Sequence, residues 1–282
     1  MEFQQEQIRQ QQKQSWNRFS GGWKNWDKFT MRFLQPMGEA IIDHLKLTDS
    51  DKVLDIAAGT GEPGLTIAAI VKNGSVTGTD LSENMLAIAE DNASARGLKN
   101  YSTSIADVCE LPFPDHSFDK ISCRMGFMFF PDMQIASNEM YRVLKPGGRL
   151  ATSVWGPRDQ NFWVTCIMDT INKHMELPPP IPGAPGMFRC ASKGMIADIF
   201  LNSGFKNVAE ETIIGKADFV DADTYWQNMI EIAAPVVAAL DKADEATISR
   251  IKDEVYSLIN ANSIDGQALL SFGSNIIYGE KQ

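Results

Sequence analysis

Val53-Leu-Asp55-Ile-Ala57-Ala-Gly59-Thr-Gly61-Glu-Pro-Gly64 reads as a buried strand, a glycine-rich turn and the start of a helix. Glycine tolerates positive φ and lets a ligand approach the backbone, and the free N–H groups of the following helix favour a polar ligand at the turn. Outward from this segment, residues 52 to 155 alternate short β-like runs with helical patterns, the signature of βαβ units and a parallel sheet. Strands are expected at Lys52–Ile56, Ser75–Asp80, Tyr101–Ile105, Phe118–Cys123 and Arg149–Trp155. Pro63 suits a first helical position, Ser82 an N-cap with Gly97 as the stop, and Met133, Ala136, Met140, Val143 and Leu144 mark one buried helical face that ends at Lys145-Pro-Gly-Gly148.

The flanks organise differently. Residues 1 to 36 form an N-terminal arm and possible lid: a Gln-rich start, read as a frayed helix or a disordered arm, followed by the aromatic-dense Trp16, Phe19, Trp23, Trp26 and Phe29. Residues 37 to 155 form the core. Residues 156 to 190, broken by Pro157, Pro178 to Pro180, Pro182 and Pro185, are too long for a simple connection and read as a cap insertion. Residues 191 to 282 return to the sheet, with a strand near Val208–Gly215, a helical cap insertion over 222 to 262, and a closing pair of β-like runs around Gly273.

Gly59-x-Gly61-x-x-Gly64 also fits a dinucleotide fingerprint, with Asp80 near the spacing of a ribose-binding acid, so two ligand classes compete. A carboxylate at Asp55 would repel a pyrophosphate and attract the ammonium and sulfonium of S-adenosyl-L-methionine. No residue between Lys52 and Lys72 is basic, and Glu62 adds negative charge inside the turn. Asp107 follows the third strand at the carboxyl edge of the sheet, with Val108 beside it, where crevice ligands bind. The three acids suggest ammonium at Asp55, ribose hydroxyls at Asp80 and the adenine amino group at Asp107. Turn capping is the ordinary alternative for each.

Four segments in order carry a resemblance: Asp55-Ile-Ala-Ala-Gly-Thr-Gly61; Gly78-Thr-Asp80-Leu-Ser82-Glu-Asn-Met85-Leu; Asp107-Val-Cys-Glu-Leu-Pro-Phe-Pro-Asp115-His-Ser-Phe-Asp119; and Arg142-Val-Leu-Lys-Pro-Gly-Gly148. Over about residues 45 to 155 the chain resembles the ubiquinone/menaquinone-biosynthesis-like (type 11) branch of class I S-adenosylmethionine-dependent methyltransferases. The resemblance implies an α/β, Rossmann-like sheet of seven strands, mostly parallel with an antiparallel last strand, to which the flanks add a helical cap. It implies cofactor contacts at Asp55, Ala57, Gly59, Gly61, Asp80, Leu81, Met85, Asp107, Val108 and Arg124. Thr60, within the same turn, joins that set. The acceptor does not carry over, because the flanks match only loosely.

The chain has 282 residues and a formal charge of −10, with 44% hydrophobic residues, enough for one α/β core plus an elaboration. No basic stripe is present to neutralise phosphates, so nucleic acid is not an expected partner. No run approaches the roughly 18 to 20 apolar residues of a membrane span, and the polar start gives a cytoplasmic expectation. Cys109, Cys123, Cys166 and Cys190 are too dispersed for a metal site. The expected partner is a small-molecule acceptor; oligomeric state does not follow.

Methyl transfer needs alignment and water exclusion more than acid–base help. No catalytic residue is assigned; His174, in the cap, is the candidate base if the acceptor carries a proton. Arg124 can hold the cofactor carboxylate or an acidic acceptor. Trp23, Trp26, Phe127, Trp155, Phe188 and Trp226 are candidates to line an apolar or aromatic acceptor pocket, with ordinary packing as the competing role. Asp115, His116 and Asp119 read as turn residues. The rivals to methyl transfer onto O, C or N are a metalloid or thiol methyltransferase using Cys109 and Cys123, an NAD-dependent oxidoreductase, and a non-catalytic cofactor-binding scaffold.

Overall fold

The computed structural model describes residues 2–177 and 183–282; Pro178 to Pro180 and Pro182, assigned to the cap from sequence, lie outside these. A seven-stranded sheet runs in the order β3-β2-β1-β4-β5-β7-β6, with β1 Lys52–Ile56, β2 Ser75–Asp80, β3 Tyr101–Ile105, β4 Phe118–Arg124, β5 Leu144–Trp155, β6 Lys206–Asp218 and β7 Leu269–Glu280. The pairs among β1 to β5 are parallel and β7 is antiparallel to both its neighbours. This is the Rossmann-like architecture expected.

Local chemistry explains these elements. The last four residues of β1 are all buried, as a central parallel strand covered on both faces requires. Ser82 caps α4 (Glu83–Ala95) by accepting from the Met85 N–H, and Asp132 caps α5 (Met133–Val143) by accepting from Gln134 and Ile135. Strand order reverses between β1 and β4, where Asp55 stands in register with Ser122. A ligand crevice opens at the carboxyl edge of such a switch point.

The flanking elements differ from expectation in four places. The Gln-rich start is helical, not a disordered arm: α1 runs from Glu2 to Asn25, through Gly21 and Gly22, in keeping with Gln, Glu and Lys being good helix formers. Next, α2 (Asp27–Leu45) continues through Pro36, so the boundary drawn at residue 36 falls inside a helix that buries Phe33, Leu34, Met37 and Ile41. The expected stop at Lys145–Gly148 is instead a bulged start of β5, in which the pairing with β4 shifts between Phe118 and Lys120. Finally, the two runs around Gly273 form one strand, β7; a Cβ at Gly273 would stand 2.3 Å from Gln160 Oε1.

The cap is helical. It comprises α6 (Phe162–His174), α8 (Ala222–Ile232), α9 (Ala234–Leu240) and α10 (Glu245–Ala261), while α7 (Met195–Ser203) packs under the sheet beside α5. A single helical stretch expected over 222 to 260 is three helices, with Pro235 at the start of the second. Ile251, Val255 and Ile259 of α10 and Tyr225 of α8 are fully buried. Among the described residues no helix is long and apolar enough to cross a membrane.

Candidate cofactor and acceptor site

A cavity of about 360 Å³ opens at the switch point, roofed by α1 and the cap. That volume lies in the range of small-molecule sites. Its floor is the glycine turn, where Ala57, Gly59 and Gly61 all have positive φ. An added Cβ at Gly59 would meet nothing within 4 Å, whereas one at Gly61 would strike Leu65 at 2.7 Å. Gly59 therefore leaves room for a ligand, and Gly61 serves helix packing.

The three acids part company. Asp80, at the end of β2, borders the cavity; its Oδ1 accepts from the Ser82 N–H at 2.9 Å and its Oδ2 from the Gly59 N–H at 3.1 Å. Burial raises its pKa while those backbone donors oppose the rise. Asp107 also borders the cavity, where Oδ1 accepts from the Cys109 N–H at 2.9 Å and Oδ2 from Arg9 Nε. Asp55 does not border it. Its side chain is completely buried, Oδ1 accepting from Ser122 Oγ at 2.6 Å and Oδ2 from the Gly64 N–H at 3.1 Å, and burial pushes its carboxyl up to about 7. The expected contact of Asp55 with an ammonium group is thus corrected: the carboxyl braces the turn, and a Cβ at Gly64 would stand 2.6 Å from its Oδ2.

Among the other expected cofactor contacts, Ala57, Thr60, Leu81, Met85, Val108 and Arg124 border the cavity and Gly61 does not. Arg124 forms no ion pair among the described residues; it donates to Leu34 O at 3.4 Å and touches Met31 Sδ at 3.7 Å. Burial lowers its pKa, and the more distant Glu62, Asp55 and Asp27 only partly offset this. A desolvated guanidinium of this kind is stabilised by an anionic ligand group.

The far side of the cavity is aromatic. Trp23 and Trp155, both expected there, border it together with Phe33 and Trp163. Phe33 stacks on Trp155 at 5.6 Å between centroids and meets Trp163 edge-on at 5.0 Å. Four other expected acceptor residues do not border it. Phe127 is buried against Phe130 and Phe200, Phe188 lies under Arg158, and Trp226 packs in the cap beneath Lys252. Trp26 is turned away against Phe29. His174 is corrected too: its Nε2 pairs with Glu254 at 2.7 Å away from the cavity, where a base would have no access to an acceptor.

Sequence reasoning missed Arg9, Gln12, Ser15, Phe33 and Leu34 at the site. The last two had a legible signal, since Phe33, Leu34, Met37 and Ile41 follow helical spacing. The first three had none, because a Gln-rich helix carries no apolar stripe.

Residues 53–148 match the family model described as a methyltransferase domain. The chain is 38% identical over 136 residues to the demethylmenaquinone methyltransferase of Thermus thermophilus, covering 48% of this chain and 51% of that protein. It is 36% identical over 128 residues to the protein of the same name from Bacillus cytotoxicus, covering 45% and 49%. The chain thus spans about half the length of the curated relatives it matches. Among solved structures, YcgJ from Bacillus subtilis superposes with TM-score 0.57 at 21% identity, over 88% of this chain and 99% of that one. A putative methyltransferase from Bacillus halodurans superposes with TM-score 0.56 at 19% identity, over 86% and 98%. These structures share the fold. Residues 53–148 thus match a methyltransferase domain, the sheet order is that of the structural neighbours, and over that stretch the chain is similar to the demethylmenaquinone methyltransferases.

Proposed function

We propose that this protein transfers a methyl group from S-adenosyl-L-methionine to a small, apolar, ring-bearing acceptor and releases S-adenosylhomocysteine. One observation carries the reading: a single cavity joins an acid-lined face at Asp80 and Asp107 to an aromatic wall of Trp23, Phe33, Trp155 and Trp163. The residues present fit the cofactor. Open space above Gly59, a guanidinium at Arg124 with no ion pair among the described residues and two carboxylates at the strand ends match a molecule with a backbone-hugging chain, a carboxylate, ribose hydroxyls and an amino group.

Bound there, the cofactor supplies an electrophilic methyl group on a positively charged sulfur. Asp80 accepts from the ribose hydroxyls, Asp107 from the adenine amino group, and Arg124 donates to the carboxylate. Val108 and Met85, both nearly fully buried, flank the adenine. The aromatic wall aligns the acceptor for in-line attack and excludes water. The acceptor nucleophile gains the methyl while the sulfur keeps the electron pair of the broken bond, so no redox partner is needed. The relatives' name suggests a quinone-like acceptor, with the methylated atom left to the assay.

The thiol-based alternative finds no support in the cysteines. Cys123 is completely buried, Cys109 is half-buried, and burial pushes both thiols up to about 12, far from the thiolate such chemistry needs. The decisive experiment is calorimetry of the chain with S-adenosylhomocysteine and with NAD, followed by mass spectrometry of reactions containing labelled donor and naphthoquinol acceptors. Binding of the first nucleoside and a +14 Da product support the reading; binding of NAD alone overturns it.

A further inference from the structure

Only Ser20 among the described side chains of α1 is buried, so this helix has a weak apolar anchor, made by the half-buried Trp16 and Trp23. Polar ties add to that packing. Lys13 pairs with Glu83 at 3.0 Å, Arg18 with Asp241 at 3.1 Å and Lys24 with Asp91 at 3.1 Å, while Asn17 Oδ1 accepts from Ser82 Oγ at 2.6 Å. Arg9 with Asp107 is the least exposed of the ion pairs, at 31% and 12% of side-chain area against 62% and 55% for Arg18 with Asp241. Exposed pairs contribute little, so the shielded pair carries the most weight.

The same helix borders the cavity through Gln12, Ser15, Trp16 and Trp23. It therefore spans both halves of the site, from the carboxylate at the end of β3 to the aromatic wall. Trp16 meets Phe129 edge-on at 5.3 Å, and at Gly22 the backbone lies so close to Glu231 O of α8 that a Cβ would stand 2.2 Å away. Asp107 is pinned at both oxygens, by the Cys109 N–H and by Arg9. Each carboxylate oxygen retains a second lone pair in a fixed direction.

We propose that Arg9 is a positioning residue for the cofactor: through its ion pair with Asp107 it aims that carboxylate at the adenine amino group and clamps α1 as a roof over both halves of the cavity. The inference rests on the methyltransferase reading, specifically on Asp107 as the adenine partner. Cofactor exchange then requires this pair to break, and Trp16 and Trp23 complete the acceptor chamber only while it is made.

The test is stopped-flow dissociation of S-adenosylhomocysteine, followed by tryptophan fluorescence, for the wild type, Arg9→Ala, Arg9→Lys and Arg18→Ala. Arg9→Ala is expected to speed release about tenfold or more, the factor corresponding to roughly 1.4 kcal/mol. Arg9→Lys should recover most of the loss, and Arg18→Ala, which cuts a tie of α1 remote from Asp107, should stay within about twofold of wild type. Protection of α1 from proteolysis by S-adenosylhomocysteine should be lost in Arg9→Ala alone. Release from Arg9→Ala at the wild-type rate, or equal acceleration by Arg18→Ala, overturns the proposal while leaving the functional reading intact. A wild-type chain that binds no S-adenosylhomocysteine overturns both.

Discussion

The two halves of the cavity are built by different means. The proposed cofactor half draws Asp80 and Arg124 from strand ends and Ala57, Gly59 and Asp107 from the turns that follow strands, so each position follows from β-sheet register. The proposed acceptor half gathers Trp23 and Phe33 from the N-terminal helices, and Trp155 and Trp163 from the far end of β5 and the cap. A ligand contact fixed by a strand end is specified locally, whereas one fixed by helix packing depends on chain far away in sequence.

Substitutions can break or sharpen that contrast. Asp80→Ala should produce the largest effect on binding, about a hundredfold loss of S-adenosylhomocysteine affinity by calorimetry, corresponding to roughly 3 kcal/mol for charge-assisted hydrogen bonds lost in a cleft. An unchanged affinity would falsify its role at the ribose. Asp55→Asn should instead act on stability. With a carboxyl pushed up to about 7 in the fold from a value of 3.8, the folded state binds the proton more tightly, so the wild type should lose stability as pH rises from about 4 to 7. At its steepest the loss is roughly 1.4 kcal/mol per pH unit, and denaturant titrations of Asp55→Asn should show that slope removed.

Next in size, Trp23→Ala should raise the acceptor KM about tenfold, the scale of one large aromatic contact, with cofactor affinity within about twofold. Equal loss for both ligands would show that the halves are not separable. Smallest of all, His174→Gln should leave kcat unchanged across the pH profile and lower stability by no more than about 1 kcal/mol, since its partner Glu254 is a surface carboxylate.

Most of the sheet was legible because parallel strands in the interior are marked by short apolar runs with glycine or a cap at each end; β1, β2 and β3 fall on the expected residues. Most of the residues expected at the cofactor border the cavity as well. Asp55 is the instructive exception. Its sequence position beside the glycine turn is compatible with facing either the ligand or the turn, and only the register with Ser122 and the closeness of Gly64 decide for the turn. The charge argument against a pyrophosphate therefore passes to Glu62 and Asp107, which do border the cavity. The acceptor half was half legible: aromatic content flagged the right segments, but packing decides which rings face inward, and Phe127 and Trp226 were claimed by the core.

The placement of β7 has a consequence for how the chain reaches this state during synthesis. The strand that separates β5 from β6 is made last of the seven, so the outer strand has no edge to join until β7 itself has left the ribosome. The strands from β1 to β5, with the glycine turn, can assemble first and expose β5 as a temporary edge. A nascent chain stalled before residue 269 should therefore already present Asp80 and Asp107 beyond the strand ends while remaining prone to pairing with its neighbours.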